Sequence, residues 1–246
     1  MEIKPNNIYH GDSYELIKNI PDKSIDCVYI DIPYLYEHIG IGGVSRALEL
    51  KDIINGIDYS IFEQLKRVLK KINVFVWCSK AQLKDILNYW TSEDNIIFDI
   101  LVWCKTNPTP ATNNTWLPDI EYCLYFREKG AFLNDGYEIK SKWFVSPSNV
   151  NDKKSYNHPT IKPLELVKRH IMHTTKENDI VLDCFLGSGT TAVACKETNR
   201  QYIGFEIDET YYKIAIERLN GIDQKGQMSL LDTDFEQLDL FNEKGE

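Results

Sequence analysis

Apolar residues along the chain alternate between unbroken β-branched runs and clusters spaced three or four apart. Residues 25–30, Ile-Asp-Cys-Val-Tyr-Ile, form such a run just before Pro33, which predicts a buried strand ending at Asp31. Ile61, Leu65, Val68 and Leu69 recur at helical spacing and predict a helix over 60–71. Asn73 then breaks into the strand-like Val74-Phe75-Val76-Trp77. A second amphipathic helix is predicted over 81–90, with strands at 96–103 and 120–126. Pro163 opens a helix over about 163–174. A strand follows at 179–184, a helix starts near Thr190, a strand covers Tyr202 to Glu206, and a helix runs from about Glu209 to Leu219. Helices alternating with apolar strands imply a mostly parallel sheet in an α/β domain. Three stretches break this rhythm and read as long loops, which in a compact domain are usually functional or mobile. Residues 35–58 carry Gly40, Gly42 and Gly43, while 107–118 and 141–160 hold most of the prolines among many Asn, Ser and Thr.

Composition narrows the class. With 246 residues the chain has room for one large α/β domain and an inserted loop region, and 43% hydrophobic and 26% charged residues are ordinary for a soluble protein. No apolar run reaches the roughly eighteen residues of a membrane span. Met1-Glu2-Ile3-Lys4-Pro5 has no charged-then-apolar signal pattern, so a cytoplasmic location is expected. None of the six cysteines forms a C-x-x-C pair, which favours buried reduced thiols over a metal site. The net charge of −9 weighs against a nucleic-acid partner. Residues 221–246 alone carry −5 of it, however, and basic pairs such as Lys66-Arg67, Lys70-Lys71, Lys153-Lys154 and Lys168-Arg169 lie in the body. Charge therefore permits DNA binding without suggesting it.

Candidate chemistry sits where strands meet turns. Phe185-Leu186-Gly187-Ser188-Gly189-Thr190-Thr191-Ala192 joins a predicted strand to a helix, and its glycines allow a sharp turn that a ligand can approach closely. Glu206, ending the next strand, could accept hydrogen bonds from ribose hydroxyls. This pair alone fits a nicotinamide-dependent oxidoreductase equally well, or a structural tight turn. Asp31-Ile32-Pro33-Tyr34 lies at a strand's carboxyl end, where open α/β sheets place ligands. The amino nitrogen of adenine or cytosine is a poor nucleophile because its lone pair is delocalised into the ring. A carboxylate accepting one N–H and a backbone carbonyl accepting the other draw that nitrogen toward a tetrahedral geometry. Asp31 and the Ile32 carbonyl could be those acceptors, with Tyr34 stacking on a flipped base. In isolation the same four residues would read as a strand-end turn with a capping Asp.

Together with His158-Pro159-Thr160-Ile161-Lys162-Pro163 and Asp183-Cys184-Phe185-Leu186-Gly187-Ser188-Gly189-Thr190-Thr191, the motif resembles the amino-methyltransferases of DNA. That family carries D-P-P-Y, S-P-P-Y or N-P-P-Y and F-x-G-x-G. The order of motifs here resembles its circularly permuted β class. Gly11-Asp12, Trp103-Cys104-Lys105 and Gly204-Phe205-Glu206 extend the likeness over about residues 6–219.

The resemblance implies a Rossmann-like S-adenosylmethionine-dependent methyltransferase fold, with a mostly parallel seven-stranded sheet and one reversed strand. The domain would span 1–220, with target-recognition loops at about 35–58 and 107–157 and an acidic, flexible tail at 221–246. By the same likeness Asp12 holds the cofactor's adenine and Glu206 its ribose. Asp183, Phe185, Gly187 and Gly189 surround its methionine part, and Thr160 and Lys162 close over it. Asp31, Ile32, Pro33 and Tyr34 form the catalytic set. Methyl transfer is in line, without metal or covalent intermediate, onto a base of double-stranded DNA. Ile32 departs from the family's Pro and removes a fixed φ that helps pre-organise the acceptor. A slower enzyme, or an impaired module that binds cofactor and DNA, is thereby an alternative. Asp at the first position resembles adenine-N6 more than cytosine-N4 enzymes, and RNA or protein substrates are a third reading. Trp116, Trp143, Tyr156, Asn113, Asn114, Arg46, Lys153 and Lys154 are candidate DNA contacts. Gln237-Leu238-Asp239-Leu240-Phe241 resembles the peptide by which bacterial proteins dock on the DNA sliding clamp, and relatives are commonly homodimers.

Overall fold

A computed structural model describes residues 2–35, 56–108, 110, 116–136, 140–148 and 161–221. Thr160, Arg46, Asn113, Asn114, Lys153, Lys154, Tyr156 and the clamp-like Gln237–Phe241 peptide lie outside these residues.

In chain order the elements are β1 (Asn7–His10), α1 (Ser13–Leu16), β2 (Cys27–Asp31), α2 (Ser60–Val68), β3 (Asn73–Cys78), α3 (Leu83–Trp90), β4 (Ile96–Lys105) and β5 (Ile120–Glu128). Then follow β6 (Trp143–Ser146), α4 (Leu164–Thr174), β7 (Ile180–Asp183), α5 (Thr190–Glu197), β8 (Gln201–Glu206) and α6 (Glu209–Leu219). Among the described residues the strands make one sheet of order β1-β8-β7-β2-β3-β5-β4-β6. All are parallel except β5, which runs antiparallel to both neighbours. The mostly parallel sheet with one reversed strand is as expected, but it has eight strands rather than seven.

The two strands that the pattern does not announce, β1 and β6, are the sheet's edges. Four residues with one buried side chain in β1, or none in β6, carry too little alternation to register. Residues 143–146, read above as loop, are therefore strand, and the span 107–157 is not one insert because it contains β5 and β6. The helix predicted over 60–71 stops at Val68. Leu69 turns extended and bridges Ile25, while the orphan carbonyl of Val68 accepts the N–H groups of Ser24 and Ile25 at 2.8 and 2.9 Å.

Both faces of the sheet are covered. On one, Ile61, Phe62, Leu65 and Val68 of α2 and Ile86 and Trp90 of α3 pack on Val28, Ile30, Val74, Val76, Leu124 and Phe126. Trp90 stacks on Phe126 with ring centroids 5.6 Å apart. On the other, Leu166, Val167 and Ile171 of α4 and Ala194 and Cys195 of α5 cover Cys27, Tyr29, Phe75, Trp77, Tyr125 and Val181. Each such large side chain removed from water stabilises the fold by roughly 1.5–3 kcal/mol. Helix α5 is buried on nearly every side, from Thr190 to Cys195, which explains its small residues and absent polar face. All six cysteines are unpaired and five are buried. No helix among the described residues is long and apolar enough to cross a membrane.

A titratable ring is embedded in the second layer. The His170 ring stacks on Phe75 at 5.1 Å and 5°, with Nδ1 3.2 Å from the Tyr29 hydroxyl. That hydroxyl accepts from Trp77 Nε1 at 2.8 Å. Burial, reinforced by the positive Arg169 and by His173, pushes the His170 pKa down to about 3. A depressed folded pKa means that the unfolded chain takes up the proton first, so stability falls as pH drops from about 6.5 toward 3. At pH 5 the loss from this one group is about 2 kcal/mol. The change in urea-unfolding stability between pH 7.5 and 5 should therefore be less favourable in the wild type than in His170→Phe by about 2 kcal/mol, since Asp183 and the other titrating groups contribute to both proteins alike. Equal changes in both proteins would reject the assignment.

Candidate active site

Parallel strands bring their carboxyl ends to one edge of the sheet, and here four adjacent strands deliver an acid to it. Asp31 ends β2 opposite Trp77, Asp183 ends β7 opposite Gly204, and Glu206 ends β8 opposite His10 of β1. Asp12 follows two residues later as the N-cap of α1. Strands lie roughly 4.8 Å apart, so the row is about 14 Å long. Chain direction makes a crevice at its middle. The connection after β2 leads to the α2 face, whereas β7 feeds α5 on the opposite face. Neighbouring strands whose connections part in this way form a switch point, where such sheets bind ligands.

Each acid is held in a different way. Asp12 Oδ1 accepts the Tyr14 N–H at 2.8 Å. Glu206 Oε2 accepts from Gly187 N at 2.7 Å and Oε1 from Asp208 N at 2.9 Å. Asp183 Oδ1 accepts from Phe185 N at 3.0 Å and Oδ2 from Thr191 Oγ1 at 2.6 Å. Burial nevertheless pushes Asp183 up to about 7, with the charges of Asp31 and Glu206 adding to it against the two hydrogen bonds. Glu206 is likewise raised, chiefly by burial. Among the described residues no group of His, Cys, Asp and Glu is arranged to hold a metal ion.

The Gly-rich turn is built by packing as much as by its glycines. Gly187 and Gly189 adopt φ of +54° and +84°, the left-handed region that disfavours side chains. A Cβ on Gly189 would lie 2.9 Å from Ala215 Cβ, so this glycine also lets α6 approach the turn. From α6, the buried Arg218 donates through Nη1 to Ser188 O at 3.0 Å, Ser188 Oγ at 3.0 Å and Thr190 Oγ1 at 2.9 Å. The sequence reading missed Arg218. Its signal was position, because it falls one and four residues from Leu219 and Ile214 on the buried stripe of α6, where a cation needs a reason.

Asp31-Ile32-Pro33-Tyr34 meets Lys162 from the entrance of α4. Lys162 Nζ lies 2.5 Å from Asp31 Oδ2, 3.1 Å from Glu121 Oε2 and 3.3 Å from the Tyr34 hydroxyl, with the Trp77 ring 5.0 Å away. Glu121 in turn pairs with Lys105 at 2.5 Å. Asp31 Oδ1 is buried and has no hydrogen-bond partner among the described residues. Burial raises the Asp31 pKa against the pull of Lys162, and the neighbouring Glu121 raises it further. The structure thus brings Lys162 to Asp31, where its ammonium is fully engaged. The buried Ile32 side chain joins the core, and its N–H donates to Trp77 O at 3.2 Å. A proline could not make that bond, so the motif is fastened to β3 through the very atom that the family's usual residue lacks. Gln82 Nε2 donates to Pro33 O at 3.0 Å and holds the following residue. Glu121 went unnoticed in the sequence because nothing local distinguishes an acid within a strand from an exposed one.

A model of the DNA methylase family, covering N6- and N4-directed methyltransferases, matches residues 25–217. The Type II methyltransferase M2.LlaDCHI of Lactococcus lactis subsp. cremoris is 31% identical over 87% of this chain and 88% of its own. The Type II methyltransferase M2.DpnII of Streptococcus pneumoniae is 30% identical over 86% and 88%. Among solved structures, M1.HpyAVI in complex with SAM matches with a TM-score of 0.66 and 27% identity, over 87% of this chain and 99% of that one. The cytosine-N4-specific PvuII DNA methyltransferase shares the fold with a TM-score of 0.67 at 18% identity, over 88% and 87%.

The turn's two constraints at Gly189 can be separated. Gly189→Ala should lower stability by about 1–3 kcal/mol, from positive φ and the contact with Ala215 together. Ala215→Gly removes the Cβ–Cβ contact but by itself costs about 1 kcal/mol as a glycine inside α6, so the test is whether thermal melting shows Gly189→Ala costing less in the Ala215→Gly background than in the wild type. An equal cost of Gly189→Ala in both backgrounds would show that the Cβ–Cβ contact contributes nothing.

Proposed function

The chain belongs to the DNA methylase family of N6- and N4-directed enzymes, and from that membership we propose that it methylates N6 of an adenine flipped out of double-stranded DNA. The observation that carries this reading is Asp31 Oδ1, a buried acceptor without a partner among the described residues, at the carboxyl edge beside the Gly-rich turn. The cofactor is S-adenosylmethionine, which when bound supplies an electrophilic methyl group on a sulfonium. The residues here suit it: a turn with two positive-φ glycines, a ribose-type acceptor in Glu206, and acids spread along four strands. In this reading Asp12 takes its adenine end, Glu206 its ribose, and Asp183, Phe185, Gly187 and Gly189 its methionine end. Asp31 Oδ1 would accept one amino hydrogen of the base and the Ile32 carbonyl the other, drawing the nitrogen toward a tetrahedral, more nucleophilic geometry. Tyr34 stacks on the base, and Asp31 receives the proton that the methylated nitrogen sheds. The Ile32 N–H bond to Trp77 supports a working rather than an impaired enzyme, since it restrains the motif that proline would otherwise stiffen. Asp at the first motif position supports adenine over cytosine.

The same proposal extends outward from the site. The domain occupies 1–220 with target-recognition segments at about 35–58 and within 107–157, the second supported by the exposed Trp116. Relatives that are Type II methyltransferases support a role in a restriction-modification system, with DNA met in the cytoplasm. An exposed apolar strip of Phe98, Ile100, Trp143 and Val145 supports a homodimer. The Gln237–Phe241 peptide is assigned to the sliding clamp on its sequence.

Purified protein incubated with S-adenosylmethionine and unmethylated genomic DNA should yield N6-methyladenine by nucleoside mass spectrometry. Asp31→Asn should cut the rate at least about 100-fold. N4-methylcytosine as the product would overturn the choice of base, and no methylated nucleoside would overturn the activity. Ile32→Pro should slow the enzyme rather than speed it, because the bond to Trp77 is lost.

A further inference from the structure

Beside the proposed catalytic motif, four charges alternate in sign: Lys105, Glu121, Lys162 and Asp31. Lys105 Nζ reaches Glu121 Oε1 at 2.5 Å, Glu121 Oε2 reaches Lys162 Nζ at 3.1 Å, and Lys162 reaches Asp31 Oδ2 at 2.5 Å. Topology makes this row possible. Because β5 alone is reversed, its first residues lie beside the last residues of β3 and β4, so Glu121 starts its strand where Lys105 ends another. Side-chain exposures are 17% for Lys105, 20% for Glu121, 8% for Lys162 and 26% for Asp31, so water screens these charges weakly. Lys105 is further held over the Trp103 ring at 5.1 Å.

A buried lysine facing a single carboxylate would close on it and fill its acceptor sites. Here the ammonium is divided between two carboxylates and a tyrosine hydroxyl. Only Oδ2 of Asp31 is taken, while Oδ1 has no partner among the described residues. We infer that Glu121, braced by Lys105, is a positioning residue for the methyl transfer proposed above: it draws part of the Lys162 charge away from Asp31, leaving that carboxylate open and strong enough as an acceptor to hold the base amino group. Glu121 touches no reacting atom in this arrangement and acts through Lys162. Burial alone would raise its own pKa, but Lys162 and Lys105 outweigh burial and hold it down at about 2, so it stays charged at any working pH.

The signs of two substitutions differ, and that makes the inference testable. The four charges cancel. Glu121→Gln leaves one positive charge in excess and gives Lys162 to Asp31 alone, so protonation of Asp31 should move to lower pH. Lys105→Met leaves one negative charge in excess and should move it to higher pH. Carboxyl-13C-labelled aspartate, with the Asp31 resonance identified by its loss in Asp31→Asn, reads these midpoints by NMR without any turnover. Methylation kinetics on DNA should show kcat of Glu121→Gln reduced about 10- to 100-fold, with KM for DNA and for S-adenosylmethionine within about threefold of wild type. The acid limb of its pH profile should move to lower pH as well. A structural role alone would lower the melting temperature of both variants without opposite shifts. Should Glu121→Gln fail to fold, Lys105→Met still decides by the direction of its shift. A wild type that transfers no methyl group overturns the proposed function and this inference with it. A wild type that methylates DNA, while Glu121→Gln leaves both midpoint and kcat unmoved, overturns this inference alone.

Discussion

Negative charge gathered in a poorly solvated crevice is the constraint from which most of the site follows. Parallel strands put Glu206, Asp183 and Asp31 along one edge, with the exposed Asp12 beyond them at the α1 N-cap, and buried carboxylates need either hydrogen-bond donors or a counter-charge. The molecule uses donors on one side of the switch point and a counter-charge on the other. Glu206 and Asp183 are held by the N–H groups of Gly187, Asp208 and Phe185 and by the Thr191 hydroxyl. That is why the Gly-rich turn folds back on the strand ends: the same backbone that shapes the turn also satisfies the acids beneath it. Among the described residues Asp31 has no such backbone donors and meets Lys162 instead. An acid neutralised through one oxygen by a side chain keeps the other for a substrate, whereas an acid held through both oxygens is fixed in place while each oxygen can still accept a further bond. In the proposed reading, the two treatments divide the crevice into a half that holds the cofactor and a half that reacts.

Much of this was legible in the sequence. The strands ending at Asp31, Asp183 and Glu206 were readable because all three are central in the sheet, and strands covered on both faces appear as unbroken apolar runs. The Gly-rich turn was readable because φ above zero demands a special residue. What escaped was the set of contacts that depend on strand order. No spacing rule says that β5 is reversed and slips between β3 and β4, so none could bring Glu121 to Lys162, 41 positions later in the chain. Lys162 was legible as part of a motif, but its partner was not, because a lysine's target is a fact of the tertiary structure. Arg218 was hidden more thinly: it lies on the buried stripe of an otherwise amphipathic helix.

Ile32 shows how a local departure is absorbed. Read along the chain, isoleucine in place of proline loosens a turn. In three dimensions it frees an N–H that ties to Trp77 O, and its side chain completes the core beneath the strand end. Rigidity is supplied by the neighbouring strand rather than by the ring, and the residue belongs at once to the core and to the site.

The alternating row of charges also limits how this sequence can drift. Lys105, Glu121, Lys162 and Asp31 come from β4, β5, the entrance of α4 and β2, yet electrically they form one object of zero net charge. Losing any one member leaves an uncompensated charge in a poorly solvated place, which typically costs several kcal/mol. Single substitutions there are penalised whichever partner changes first. Neutral change is open only to exchanges of opposite charges together, so four positions scattered over half the chain are inherited as if they were one.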